Sequence, residues 1–457
     1  MLAWAGKTYW TAWTAARLLS GRRFPYLPSE RLRRIQDRRV RTIVAHAYHT
    51  VPFYRRAMDE RGLRPANFHG AADLARLPIV TGRALADDPE QFRSQAVAGA
   101  PLLELWTSGS SGHAKCAAWD RRAVFELQAS GLRQRDVIAA FTGSIRGYRQ
   151  LVVDRPGGTR DRVVAFVREH SWQPSAPGFA LHRVSLGDSF ERAIEAINRV
   201  DPHVIYGFSG YLGALFRRAA AEERHVARPR VIWGGGEMLP APDRALIEGK
   251  FGIPVVESYQ ACEAMQIAFQ CERRGGLHIH VDQVAIRVVD ASGEPVPSGR
   301  TGRLLISNLI NRATVLLNYD IGDLGALTDA TCDCGRTLPM LAQLDGRDDD
   351  LVARPGGRVV HTAVILASLY AVPGVLRVQL EQTALDRVRL RVVCVPSTEW
   401  EQARPALERA LASVLGDGPP GVEIERVDEI AAAPSGKFKV IVSRLSGSAW
   451  RSPPTDP

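Results

Sequence analysis

Lysine is scarce in this chain. Of 59 lysines and arginines only five are lysines: Lys7, Lys115, Lys250, Lys437 and Lys439. Arginine serves almost wherever a generic cation will do, so a retained lysine reads either as a position that needs a compact, flexible ammonium or as a chance survivor. Two of the five, Lys115 and Lys437, stand in Gly/Ser-rich settings. Long apolar runs are also missing. None approaches the roughly 18 residues that cross a bilayer, so no membrane span is expected. The opening Met1-Leu2-Ala3-Trp4-Ala5-Gly6-Lys7 lacks the charged-then-apolar layout of a secretory leader, and the chain reads as cytoplasmic. Internal repeats are absent. Dense basic blocks are few despite a net charge of +10. The strongest, Arg31-Leu32-Arg33-Arg34 and Arg38-Arg39, falls in an N-terminal helical pattern and reads as a solvated face, so no nucleic-acid partner is expected. Six cysteines in a long cytoplasmic chain argue against a disulfide framework.

What is present suits an enzyme-sized globular protein. The 457 residues allow two or three domains, with 45% hydrophobic and 24% charged residues. Residues 1–100 read as mostly helical, with apolar helical spacing from Leu32 to His46 and a break at Val51-Pro52-Phe53-Tyr54. From 100 to 345 short apolar runs alternate with helical patterns: Leu102 to Trp106, Val204-Ile205-Tyr206, Val231-Ile232-Trp233 and Val255-Val256, with a helix from Tyr211 to Glu223. This predicts an α/β domain with a buried sheet. Residues 284–306, turning at Ala291-Ser292-Gly293, predict an antiparallel, barrel-like part. The expected organisation is a large N-terminal nucleotide- and acid-binding domain at 1–345, a hinge at 346–350 and a small α+β domain at 351–445. A disordered tail at 446–457 is expected to follow. In the small domain a helix is predicted from Thr362, strands near 376–381 and 387–395, and a helix from Trp400 to Leu415.

The segment Thr107-Ser108-Gly109-Ser110-Ser111-Gly112-His113-Ala114-Lys115 is the strongest local signal. Small residues leave backbone N–H groups free to wrap an anion, and hydroxyls add donors. It is not the P-loop of kinases, because Gly112 is followed by His113 and Ala114 before the lysine. Taken alone it reads equally as a linker. Four further segments add chemistry. Glu263, in Ser258-Tyr259-Gln260-Ala261-Cys262-Glu263, follows an apolar strand where a carboxylate could hold Mg²⁺. Asp323, in Asn318-Tyr319-Asp320-Ile321-Gly322-Asp323, could accept ribose hydroxyls. Gly346-Arg347-Asp348-Asp349-Asp350 fits an exposed hinge, and Pro434-Ser435-Gly436-Lys437 puts a lysine on a tight turn. Each also has a plain structural reading as a surface acid, a cap, a charge run or a loop. Among the cysteines, Cys271, His278, Cys332 and Cys334 offer three thiolates and an imidazole, as a closed Zn²⁺ site would, with His280 as a spare. The Cys332-Asp333-Cys334 gap is tighter than usual, and spacing leaves buried thiols as the alternative.

In this order and spacing the segments resemble the adenylate-forming superfamily of acyl-CoA synthetases, luciferases and peptide-synthetase adenylation domains. Within it the chain is most similar to the phenylacetate–CoA ligase family and its capsule-biosynthesis-like relatives. The likeness runs from about Arg31 to Leu445. It includes Val51-Pro52-Phe53-Tyr54-Arg55, Leu77-Pro78-Ile79 and Cys332-Asp333-Cys334-Gly335-Arg336. The resemblance implies that Thr107, Ser108, Gly109, Ser110, Ser111, Gly112 and Lys115 bind ATP phosphates. It places Gly234, Gly235, Gly236 and Glu237 along the adenine, with Tyr259 stacking near it. Glu263 would hold Mg²⁺, Asp323 the ribose, and Arg347 would reach the nucleotide. Asp349 would be the hinge, and Lys437 would bridge carboxylate and α-phosphate. It also implies structural Zn²⁺ at Cys271, His278, Cys332 and Cys334. The implied reaction is ATP-dependent conversion of a carboxylic acid, aryl or arylacetic, to an acyl-AMP and then to a coenzyme A thioester. A carrier protein or amine as acceptor, or a halt at adenylyl transfer, is the alternative. Gln260 and Cys262 depart from the family's small Gly and hydroxyl, and Asn318 from its common Arg. The helical N-terminal part is a candidate homodimer surface.

Overall fold

The computed structural model describes residues 2–107, 115–172, 181–347, 351–354, 359–416, 421–430 and 440–445. The expected tail at 446–457 and most of the hinge, 348–350, lie outside these residues. Backbone contacts divide the chain into two compact units. One comprises residues 1–148, 156–180 and 256–344; the other comprises 149–155, 181–255 and 345–457.

The first unit opens with two 22-residue helices, Leu2–Arg23 and Ser29–Thr50. The second buries Leu32, Val40, Ile43, Val44 and Ala47, the one-sided spacing read from the sequence. A helix at Pro52–Glu60 then begins on proline, whose fixed φ suits a first turn. Antiparallel strands follow later in the chain. Val284–Val289 pairs with Gly302–Asn308, which pairs with Tyr319–Thr328. Leu277–Ile279 lies between Met265–Gln270 and Met340–Arg347, also antiparallel. The short strand Val80–Thr81 adds in parallel, with Val80 opposite Tyr319. A separate hairpin, Leu102–Trp106 with Cys116–Asp120, brackets the Gly/Ser segment.

The second unit contains a parallel sheet in the order Leu181–Ser185, Gln150–Asp154, Val204–Phe208, Val231–Gly235. Val204–Phe208 and Val231–Gly235 are largely buried and read as continuous apolar runs, which is why these two were visible in the sequence, whereas Leu181–Ser185, exposed over its first three residues, was not. The helix Phe190–Val200 buries Ala193, Ile194 and Ile197 against them, and Ser189 caps its start by accepting from the Arg192 N–H. The same unit holds the α+β sheet in the order Gly421–Arg426, Arg387–Cys394, Val375–Ala384, Ile441–Ser443. The helices Thr362–Leu369 and Trp400–Leu415 share its core.

One buried ion pair ties these parts of the second unit together. Arg217, on the helix Ser209–Ala221, pairs with Asp243 on Ala241–Lys250, and Asp243 is only 1% exposed. The same guanidinium donates to the Leu376 carbonyl at 2.9 Å and lies 3.8 Å from the centre of the Tyr370 ring. Breaking a buried pair from one side leaves an unpaired charge. Asp243→Ala is therefore expected to cost about 3–5 kcal/mol in urea unfolding, and the double variant Arg217→Met/Asp243→Leu much less.

Candidate functional site

The Gly/Ser segment is pinned at its base. Thr107 N–H donates to the Lys115 carbonyl at 2.9 Å, and Lys115 N–H donates to the Thr107 hydroxyl at 3.0 Å. Ser108, Gly109, Ser110, Ser111 and Gly112 lie outside the described residues. The strand leaving the loop is locked by a polar turn. Thr314 Oγ1 accepts from the Ala118 N–H at 2.9 Å, and Asn311 Nδ2 donates to the Ala118 carbonyl at 2.8 Å. Within that turn Asn308 Oδ1 accepts from the N–H of Ile310 and Asn311, while its Nδ2 donates to the Glu263 carbonyl at 3.3 Å. Trp119 Nε1 donates to the Cys262 carbonyl at 3.0 Å. The turn thus sets Lys115 and Glu263 face to face.

Lys115 Nζ lies 2.9 Å from Glu263 Oε1, with side chains only 11% and 6% exposed. Tyr319 OH accepts from Lys115 Nζ at 3.0 Å and donates to Glu263 Oε1 at 3.0 Å. This closes a three-membered polar cluster in nearly dry surroundings, where charge-assisted bonds are strong. Two members were singled out from the sequence for separate tasks; Tyr319 was not. Its place beside Asp320 in a polar strand was the available signal. Gly82 was missed as well: a Cβ there would sit 3.2 Å from Lys115 Nζ and 3.4 Å from Tyr319 OH. In the same unit, Tyr259 OH donates to Asp323 Oδ2 at 2.5 Å, so the two residues assigned to adenine and ribose meet directly.

The departures also have physical accounts. Asn318 is buried at φ 54°, a left-handed conformation that Asn tolerates. Its side chain donates to the Leu77 carbonyl at 2.9 Å and accepts from Arg287 at 2.7 Å, so it is a joint in the sheet. Cys262 Sγ sits 3.7 Å from the Trp106 carbonyl and 3.9 Å from Thr159 Oγ1. Gln260 is exposed and donates to Ser258 Oγ at 3.0 Å.

In the second unit, Gly235 ends the strand Val231–Gly235 and Gly236 follows at φ 81°. A Cβ on Gly236 would lie 2.7 Å from the Phe208 ring, so both conformation and space require glycine. Glu237 Oε1 accepts from the Gly210 N–H at 3.1 Å, at the start of the helix Ser209–Ala221. Arg347 closes the strand Met340–Arg347, and Lys437 lies outside the described residues.

The cysteine set converges in the first unit. One donor atom from each of Cys271, His278, Cys332 and Cys334 lies within 4.8 Å of the others. Cys271 Sγ and Cys332 Sγ are 3.6 Å apart, and Cys334 Sγ is 3.4 Å from His278 Nε2. Four ligands in a tetrahedron at about 2.3 Å from a metal stand about 3.8 Å from one another, so the cluster has the dimensions of a closed four-coordinate site. Burial pushes the His278 imidazole down to about 4, keeping it neutral as a ligand must be. Burial pushes Cys271 up to about 12. Burial raises Cys334 too, but the Arg336 N–H and guanidinium outweigh it and leave that thiol below its usual range. Arg336 is itself held by both oxygens of Glu272, at 3.0 and 2.9 Å. His280, the spare ligand, is engaged elsewhere: its Nδ1 is 2.9 Å from Arg133, which grips both oxygens of buried Asp282.

No family model matches the chain. It is 30% identical over 391 residues to a phenylacetate-coenzyme A ligase of Thermus thermophilus, covering 80% of this chain and 82% of the relative. It is 26% identical to a phenylacetate-coenzyme A ligase of Aromatoleum evansii, over 73% of this chain and 74% of the relative. Among solved structures it resembles 2-hydroxyisobutyryl-CoA ligase in its postadenylation state, with a TM-score of 0.73 at 20% identity over 94% of this chain and 92% of that one. It also resembles an anthranilate CoA ligase in complex with anthranoyl-AMP, with a TM-score of 0.52 at 14% identity over 74% and 65% of the two chains.

The polar cluster predicts an asymmetric response to mutation. Lys115→Met strands a buried carboxylate and is expected to cost about 3 kcal/mol in urea unfolding, whereas Lys115→Met/Glu263→Gln recovers most of it. Tyr319→Phe, which leaves the charges paired, is expected to cost about 1–2 kcal/mol.

Proposed function

We propose that this chain, which belongs to the phenylacetate–coenzyme A ligase family of the adenylate-forming superfamily and is an AMP-forming carboxylate–CoA ligase, activates an aryl or arylacetic acid. The observation that carries the site assignment is the buried Lys115–Glu263–Tyr319 cluster at the base of the Gly/Ser loop. A buried lysine joined to one carboxylate oxygen and one hydroxyl can exchange those partners for phosphate oxygens. When triphosphate enters the loop 107–115, Lys115 turns to phosphate oxygens and frees the Glu263 carboxylate, which would hold Mg²⁺. One carboxylate together with substrate phosphates is an ordinary donor set for that ion. Bound there, Mg²⁺ supplies neutralisation of charge on the phosphates.

In this reading Asp323 accepts the ribose hydroxyls, Tyr259 stacks near adenine, and Gly235, Gly236 and Glu237 line it. Arg347 reaches the nucleotide. Lys437 meets the substrate carboxylate and the α-phosphate, because two anions approach one another only with a cation between them. The carboxylate oxygen attacks the α-phosphorus, pyrophosphate leaves, and an acyl-AMP forms. The coenzyme A thiol then attacks the acyl carbon and AMP leaves. Residues 351–445 turn on 346–350, with Asp349 as the pivot, between the two steps. Cys271, His278, Cys332 and Cys334 would hold one zinc ion in a structural role, and none of the four takes part in the chemistry.

Acid-dependent ATP–pyrophosphate exchange across a panel of aromatic and short aliphatic acids tests the substrate class, and aryl or arylacetic acids are expected to be preferred. Exchange driven only by short aliphatic acids overturns it. Lys437→Ala is expected to lower exchange about a hundredfold or more. Exchange unchanged in that variant removes the lysine from its role. Purified protein is expected to carry about one zinc per chain by atomic absorption, and Cys334→Ser to lose it with a fall of roughly 5–10 °C in unfolding temperature.

A further inference from the structure

The N-terminal helix Leu2–Arg23 carries large apolar side chains on its packed side and on its exposed side. Its inner side packs on the first unit: Trp10 stacks on Phe125 at 4.9 Å, and Trp10 and Trp13 lie against a buried core cluster. The Gly21 carbonyl accepts from Arg133 Nε at 3.1 Å. Yet the outer side carries Trp4, Tyr9 and Leu19 at 63%, 57% and 71% exposure, with Ala5, Ala12 and Ala16 between them. Trp172 widens this face. It is 46% exposed, its ring nitrogen donates to the Thr8 hydroxyl at 3.3 Å, and Lys7 Nζ lies 5.0 Å from its ring centre. Four exposed large apolar side chains gathered beyond the packed side of one helix form a face that a partner surface would cover.

Charge and area select the cover. No acidic residue occurs before Glu30, while Lys7, Arg17, Arg22 and Arg23 all fall within the helix. Arg22 is paired with Asp136 at 2.8 Å, and Arg17 lies 3.7 Å from the centre of the Trp13 ring. The helix brings cations and no anion to its surroundings, so a second copy of it offers no opposite charge. The face is also small: 22 residues give a strip about 33 Å long and about 10 Å wide, roughly 330 Å², against about 800 Å² per partner in a stable dimer. A negatively charged bilayer surface fits better on both counts. Tryptophan and tyrosine rings favour the headgroup level, arginine and lysine meet anionic lipid, and a shallow strip suffices. We infer that the N-terminal helix docks this protein in the plane of an anionic membrane surface, through Trp4, Tyr9, Leu19 and Trp172. The helix lies on the bilayer; none of the helices described is long and apolar enough to cross it.

Flotation of the full-length protein with vesicles tests the inference. With phosphatidylcholine vesicles holding about a third phosphatidylglycerol the protein is expected to float, and about tenfold less with phosphatidylcholine alone or at about 0.5 M salt. Trp4→Ser/Tyr9→Ser/Leu19→Ser is expected to lower binding about tenfold or more, and Arg17→Glu/Arg23→Glu to do the same. Both variants should keep their acid-dependent exchange, because these side chains lie outside the nucleotide machinery; the triple variant should also keep its unfolding temperature, and the double variant, which gives up the Arg17–Trp13 stack, should lose only a few degrees. Failure of the wild-type protein to float with anionic vesicles, or undiminished floating of the triple variant, overturns the inference. So does a wild-type dimer in sedimentation equilibrium that the triple variant turns into monomer, which would give the face to a second copy.

Discussion

Removing two opposite charges from water at one point is the constraint around which the first unit is arranged. Lys115 and Glu263 each have little contact with solvent, and neither would be tolerable there alone. Their meeting depends on the strand Cys116–Asp120 being held against the segment before Glu263, and three polar side chains do this. Asn308, Asn311 and Thr314 spend their hydrogen-bonding capacity on backbone groups of Ala118, Glu263 and the turn itself. A buried polar network of this kind is favourable only when satisfied, so it admits one arrangement of the loop base and the carboxylate.

The same logic recurs with different partners. Asp282 is held by both arms of Arg133, whose charge outweighs burial and keeps that carboxyl down at about 2, well below its ordinary range. Arg336 is gripped by Glu272 beside the cysteine cluster, and Arg217 by Asp243 in the second unit. In each case the cation is arginine, whose fork satisfies several acceptors at once. At the loop base it is lysine, a single point charge that touches one carboxylate oxygen and one hydroxyl. A point charge can leave its partner without breaking a fork.

Much of this was legible in the sequence, for identifiable reasons. Val204–Phe208 and Val231–Gly235 were visible because strands buried on both faces are apolar throughout. The helix expected at Trp400–Leu415 is found over that span, burying Ala403, Leu407, Leu411 and Leu415 on one side. The cysteine set could be named from residue type together with the family resemblance, since spacing alone left buried thiols as the alternative. The pairing of Lys115 with Glu263 was not legible, since local spacing carries no trace of a contact between distant segments. Nor was the role of Asn318, which rests on one backbone angle and on partners from two other segments. His280 stood as a spare beside His278 in the sequence; the direction of each ring, toward Arg133 or toward Cys334, gives the cluster to His278.

The shortage of lysine has a practical side. With five primary amines on side chains in the whole chain, an amine-directed label has very few places to go. Lys115 is shielded by Glu263 and Tyr319, so a reagent reaches it only when that ammonium leaves its partners. Its rate of modification, read by mass spectrometry on one peptide, is therefore a clock for the opening of the loop base, installed by the composition of the chain itself.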